Sequence, residues 1–182
     1  MKLVRSLGLV IVAFVLVAGC GSPANTGSQA GDTPEAAPNT AAPGTATVAE
    51  QLRFTAKTLD GKDFSGQSLA GKPAVLWFWA PWCPTCQREA PTLAKAARAN
   101  PGVTFVGVAA QDQVPAMKDF VTKYDLGSFT HLADLDASVW ARFGITLQPA
   151  FAFIGSDGSV DVVKGTLSEQ DLSARLGTLA SA

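Results

Sequence analysis

The chain has 182 residues, 47% of them hydrophobic and 8% aromatic, with 14 basic against 15 acidic side chains and a formal net charge of −1. This near-balance, with no basic cluster and no interleaved aromatics, argues against a nucleic-acid surface. No internal repeat is found, and the length allows one domain with its own core plus flanking segments.

In chain order, the first segments are expected to direct the protein, not to fold. Lys2 and Arg5 precede an uncharged, mostly apolar run from Leu7 to Gly19, shorter than the roughly 20 residues a membrane-spanning helix needs. Residues 1–19 therefore read as a signal peptide. The run ends in Val17-Ala18-Gly19-Cys20, which resembles the lipobox of bacterial lipoproteins. That resemblance implies cleavage after Gly19 and a diacylglycerol thioether on Cys20, for which the thiolate is the nucleophile. Two or more acyl chains anchor stably, because each buried methylene contributes about 0.8 kcal/mol whereas one chain binds only marginally. An ordinary secretory signal in which Cys20 is incidental is the alternative.

Residues 21–50 are rich in Ala, Pro, Thr, Gly and Ser, with Asp32, Glu35 and Glu50 as the only charges and no aromatic residue. Such a composition cannot build a core. As a flexible tether its ends would stand about 30 Å apart. With Lys2 and Arg5 removed in the signal, 12 of the 14 basic residues remain against 15 acidic ones, a net charge of −3.

Residues 51–182 are expected to form a single folded domain. Leu52 to Lys57, followed by Asp60-Gly61-Lys62, reads as a short strand and turn. Ala74 to Ala80 is an apolar run whose length and aromatic content suit a buried central strand. A helix then begins near Pro84, where the missing N–H costs nothing. Its apolar face continues through Leu93, Ala96 and Ala97 until Asn100-Pro101-Gly102 stops it. Val103 to Ala110 reads as a second buried strand. Val114 to Tyr124 carries Met117, Phe120, Val121 and Tyr124 at helical spacing, and a short extended piece follows at Phe129 to Leu132. A further helical turn or two spans Ala137 to Phe143. Ala150 to Ile154 and Val160 to Lys164 flank Ser156-Asp157-Gly158, a hairpin signal. Leu167 to Leu179 closes the chain as an amphipathic helix. Strands alternating with helices in this order predict an α/β layer architecture.

With Cys20 assigned to the lipid, Cys83 and Cys86 remain as an even pair in an oxidising compartment. A structural disulfide, half of a metal site and a redox-active pair all contain two such cysteines. The segment "AGKPAVLWFWAPWCPTCQREAP" around them resembles the active-site segment of the thioredoxin-like family, within it the membrane-tethered TlpA/ResA/DsbE branch of extracytoplasmic thiol-disulfide oxidoreductases. The signal with lipobox, the helix and strand between Val114 and Leu132, and "LQPAFAFIGSDGSV" follow in that branch's order, and the likeness extends to actinobacterial DsbE/DsbF-type lipoproteins. It implies a thioredoxin fold, a central mixed sheet flanked by helices, with a TlpA/ResA-type central insert.

Physical reasons stand beside the resemblance. Cys83 lies at a helix start, where unpaired N–H groups and the macrodipole favour an anion, and a thiolate is what attacks a disulfide. Cys86, one turn deeper, is placed to resolve the mixed disulfide. A purely structural bridge would be expected to close a longer loop. Pro84 and Thr85 place no cation between the cysteines.

The resemblance further implies a cis Gln148–Pro149 bond facing the pair, with the Gln148 backbone able to pair with an extended substrate; a proline merely tolerated at a strand start is the alternative. It also implies a glutamate near the pair, matched by Glu89, whose other reading is a solvated helix carboxylate. The family's buried aspartate six residues before the first cysteine is replaced by Trp77. Pro91 matches a helix kink, and Trp79 and Trp82 read as packing and docking surface.

Other classes fit less well. A peroxiredoxin needs Thr or Ser where Ala80 stands. A copper-carrying relative separates its cysteines by three residues and adds a distal His, whereas here two intervene and His131 is the lone histidine. Zinc would find at most three ligands where a structural site takes four. The expectation is a lipid-anchored thiol-disulfide oxidoreductase without metal or cofactor, donating disulfides to exported proteins. A membrane redox partner would recycle it, and the protein is expected to be monomeric. A thiol reductase of the cytochrome c maturation type is the alternative direction.

Overall fold

The apolar run AVLWFW becomes a strand buried at all six positions, because neighbours flank it on both sides and helices cover it. The computed structural model describes residues 49–181. The expected signal peptide, Cys20 and the tether up to residue 48 lie outside the described residues. In order, the elements are β1 (Thr55–Thr58), β2 (Asp63–Ser65), β3 (Ala74–Trp79), α1 (Pro84–Ala99), β4 (Thr104–Ala109), α2 (Val114–Lys123), β5 (Thr130–Ala133), α3 (Ser138–Arg142), β6 (Ala150–Ile154), β7 (Val160–Lys164) and α4 (Glu169–Ser181).

The strands form one mixed sheet in the order β2-β1-β5-β4-β3-β6-β7. β3, β4 and β5 run parallel. β6 and β7 add antiparallel on one side, and β1 and β2 on the other. Alternate residues of each strand point to opposite faces, so the sheet divides the core in two. On one face Val75, Trp77 and Trp79 pack with Leu93 of α1, Phe120 of α2 and Leu176 of α4. On the other, Leu76 and Phe78 pack with Leu52 and with Trp140 of α3. Each such fully buried side chain contributes roughly 1.5–3 kcal/mol relative to exposure.

The expected strand at Leu52 to Lys57 is corrected at its start. Glu50–Leu52 form a 3-10 turn, because burying Leu52 and Phe54 under the sheet turns the backbone before pairing begins at Thr55. β2 and the 3-10 turn at Gly66–Leu69 were not expected. The closing helix starts at Glu169, two residues later than its apolar pattern, where Ser168 Oγ accepts the Asp171 N–H as a cap. Glu50, expected in the tether, pairs with Arg53 and Arg142.

The parallel order sends the chain leaving β3, β4 and β5 out at one end of the sheet. Cys83, Gln111 and Leu135 therefore emerge together, and the turn entering β6 brings Gln148 and Pro149 to the same end, since Ala150 registers with Phe78.

Candidate active site

Cys83 is the N-cap of α1, with extended backbone angles, and Pro84 occupies the first helical turn. Its Sγ accepts the backbone N–H of Cys86 at 3.2 Å. A helix start leaves several N–H groups without intrahelical partners, and here one of them points at sulfur. Neither cysteine is bridged in this structure. Cys83 keeps 3% of its surface and Cys86 none. Burial foremost, then the hydrogen bond and charge of Cys83 and the charge of Glu89, hold the Cys86 thiol well above the ordinary cysteine range.

Glu89 is not the solvated carboxylate that one reading allowed. It is 8% exposed, with Oε2 accepting the Trp77 indole N–H at 3.1 Å and Oε1 accepting the Leu167 backbone N–H at 3.2 Å. Desolvation by burial raises its carboxyl to about 6 against the lowering effect of the two donors. The signal was present in the helix period: Cys86, Glu89, Ala90 and Leu93 lie at i, i+3, i+4 and i+7 and form the buried stripe of α1.

Trp82 is 53% exposed beside Cys83, and its Nε1–H donates to the Gln111 carbonyl at 3.1 Å. Gln111 adopts a positive φ of 62°, an uncommon conformation for a side-chain-bearing residue. Trp79, by contrast, is fully buried and stacks on Trp77 with ring centroids 5.5 Å apart, so of the two tryptophans Trp82 offers the exposed ring. No cation lies between the cysteines, yet Arg88 Nη2 reaches back to Thr85 Oγ1 at 3.0 Å and sets a guanidinium against the intervening pair. The roles of Gln111, Arg88 and Leu167 had no sequence signal, since each rests on a tertiary contact or on rotamer choice.

The Gln148–Pro149 bond is cis. Pro149 is buried, and its carbonyl accepts the Gly165 N–H, which ties the turn to β7. Leu147, next to Gln148, is half exposed. The structure thus gathers Cys83, Cys86, Pro84, Thr85, Glu89 and Trp82 on or beside α1, with Gln148 and Pro149 at the same sheet end. Cys20 lies outside the described residues. The assembly can hold a dithiol or disulfide whose outer sulfur faces helix N–H groups and whose inner sulfur lies in an apolar environment with one carboxyl nearby.

Residues 29–173 match the Redoxin family model. A structure of MTB dsbF in mixed oxidised and reduced forms is 62% identical, with 73% of this chain and 99% of that chain covered and a TM-score of 0.72. A secreted Mycobacterium tuberculosis disulfide oxidoreductase, described as homologous to E. coli DsbE, is 52% identical over 71% of this chain and 98% of its own, with a TM-score of 0.69. The thiol-disulfide oxidoreductase ResA of Halalkalibacterium halodurans is 32% identical over 66% of this chain and 70% of the relative.

Proposed function

Because the chain belongs to the Redoxin family and is a thiol-disulfide oxidoreductase with a thioredoxin fold, we propose that it acts as an oxidase, donating the Cys83–Cys86 disulfide to exported proteins. The observation that carries the direction is the helix-start N–H on Cys83 Sγ. A stabilised thiolate favours the reduced dithiol, and a pair whose reduced form is favoured is a stronger oxidant.

A substrate thiolate attacks Sγ of Cys83 in the oxidised pair, the Cys83–Cys86 bond breaks, and Cys86 leaves with the electron pair. Cys86, held in an apolar setting that disfavours its thiolate, takes a proton, and Glu89, protonated in part near neutrality, is the adjacent donor. A second substrate thiolate then attacks the substrate sulfur of the mixed disulfide and expels Cys83, whose negative charge the Cys86 N–H receives. The substrate gains a disulfide and the enzyme becomes a dithiol, which a membrane redox partner reoxidises. Run backward, the same steps reduce a disulfide, with Cys83 attacking and Cys86 resolving. Buried Glu89, able to take the Cys86 proton, favours this second reading as a reductase.

Residues 20–48 complete the proposal as a lipidated Cys20 and tether that hold the domain on the extracytoplasmic face of the membrane. The sequence around Gly19-Cys20 supports it, and a relative of this chain is described as secreted. The test of direction is to mix the oxidised protein with a reduced, unfolded protein that needs disulfides. Stoichiometric loss of substrate thiols, absent in Cys83→Ser, is expected; no loss, with ready reduction of a disulfide substrate, would reverse the assignment.

A further inference from the structure

Trp77, Gly107 and His131 stand in register across β3, β4 and β5. Gly107 therefore leaves a gap in a row otherwise filled by two rings. A Cβ built on Gly107 would lie 2.1 Å from His131 Nδ1 and 2.9 Å from Trp79 Nε1, so the two nitrogens converge on the place of the missing side chain. Among the described residues, these two atoms are the buried side-chain polar atoms without a hydrogen-bond partner. Their rings meet edge to face with centroids 5.7 Å apart.

The two atoms are chemically complementary. His131 Nε2 lies 3.1 Å from the Leu126 carbonyl, an acceptor, so Nε2 carries the proton and Nδ1 presents a lone pair. Indole Nε1–H is a donor only. Leaving both unpaired in the core would leave the desolvation penalty of each group unoffset. Burial lowers the imidazole to about 4, which keeps the acceptor form at neutral pH.

We propose that His131 and Gly107 are positioning residues for the redox site: Trp79 Nε1–H and His131 Nδ1, unpaired in this geometry but converging over Gly107, satisfy each other in solution, and this brace fixes the stacked Trp79–Trp77 pair whose indole holds Glu89. The chain of contacts is continuous. Trp79 stacks on Trp77, Phe120 lies against both rings at 4.4 and 6.3 Å, and Trp77 donates to Glu89, which acts on Cys86. The brace also joins the central strand to the α2–β5 segment through Leu126. Among the described residues, burial and the Leu126 carbonyl are what act on the imidazole. Phe129 covers the imidazole at 4.5 Å, and the charged groups beside His131 line the outer cleft: Asp60 and Lys62 from the β1–β2 turn, and Lys118 of α2, which pairs with Asp60 at 3.6 Å.

The inference rests on the redox reading of Cys83 and Cys86, but its test reads the thiols directly and not turnover. The rate of thiol alkylation in the reduced full chain is followed against pH for wild type, Gly107→Ala and His131→Phe. Gly107→Ala drives the imidazole aside, and His131→Phe keeps a ring but removes the acceptor. Leu132→Ala, on the opposite sheet face of the same strand, controls for lost stability. Both brace variants are expected to move the apparent midpoint by about half a pH unit or more, with Leu132→Ala leaving it in place. Profiles of folded His131→Phe and wild type that superimpose would overturn the proposal, as would a His131 resonance pattern showing the Nδ1–H tautomer. Failure of the wild-type protein to exchange disulfides would instead remove the functional reading.

Discussion

The indole Nε1–H of Trp77 donates to Oε2 of Glu89 at 3.1 Å, joining the central strand to the second turn of the active-site helix. Where the resembling family carries a buried aspartate on the strand, this chain has the donor on the strand and the carboxylate on the helix. The carboxyl group thereby lies three residues past Cys86, one helical turn away.

Glu89→Gln is expected to alter both reactivity and stability. The carboxyl rises to about 6 in the fold from an ordinary 4.5, so its contribution favours folding below the unfolded value and is lost as pH rises through about 6. The wild type should therefore lose on the order of 2 kcal/mol between about pH 4 and 8 from this group, and Glu89→Gln should lack that slope. Glutamine can accept only one of the two N–H bonds, so a constant loss of about 1 kcal/mol should accompany the change. Denaturant unfolding across that pH range, beside the pH profile of alkylation, measures both effects. Profiles identical to wild type would reduce Glu89 to a structural role.

Cys86→Ser should accumulate a mixed disulfide through Cys83, because the resolving thiol is gone. Non-reducing electrophoresis of the variant with a disulfide-bonded substrate shows it as a higher-mass band that reductant abolishes. Equal trapping by Cys83→Ser would reverse the roles.

Trp82→Ala should lower kcat/KM for a protein substrate about tenfold, equivalent to about 1.4 kcal/mol, with little effect on a small disulfide. The exposed ring beside Cys83 offers contact area to a polypeptide that a small molecule does not use. Parallel kinetics with the two substrates decide the matter.

Cys20→Ser should release the protein from membranes without reducing exchange activity. Cell fractionation, with the cleaved state of the signal checked by mass, provides the measurement. Membrane retention of the cleaved variant would exclude the lipid as anchor.

The legible parts of the fold were those dictated by local chemistry. The six-residue apolar run of β3, the helix start at Cys83-Pro84 and the hairpin at Ser156-Asp157-Gly158 each carry their signal within a few residues, and all three appear in place. β2 carried none, since Phe64 is its one apolar residue between Asp63 and Ser65, and the strand exists because β1 pairs with it. At the site, the cysteine spacing was visible and Glu89 was visible through the helix period. The Gln111 carbonyl, the Leu167 N–H and the His131 ring belong to loops or strands distant in sequence, and only the sheet order brings them to Trp82, Glu89 and Trp79.

Direction of electron flow is tested most directly by the reduction potential of the Cys83–Cys86 couple, obtained by equilibrating the domain with glutathione buffers and counting free thiols. The helix-start N–H on Cys83 Sγ predicts a potential clearly more oxidising than the roughly −270 mV of thioredoxin. A value at or below about −270 mV would contradict the oxidase account and leave the reductase reading in its place.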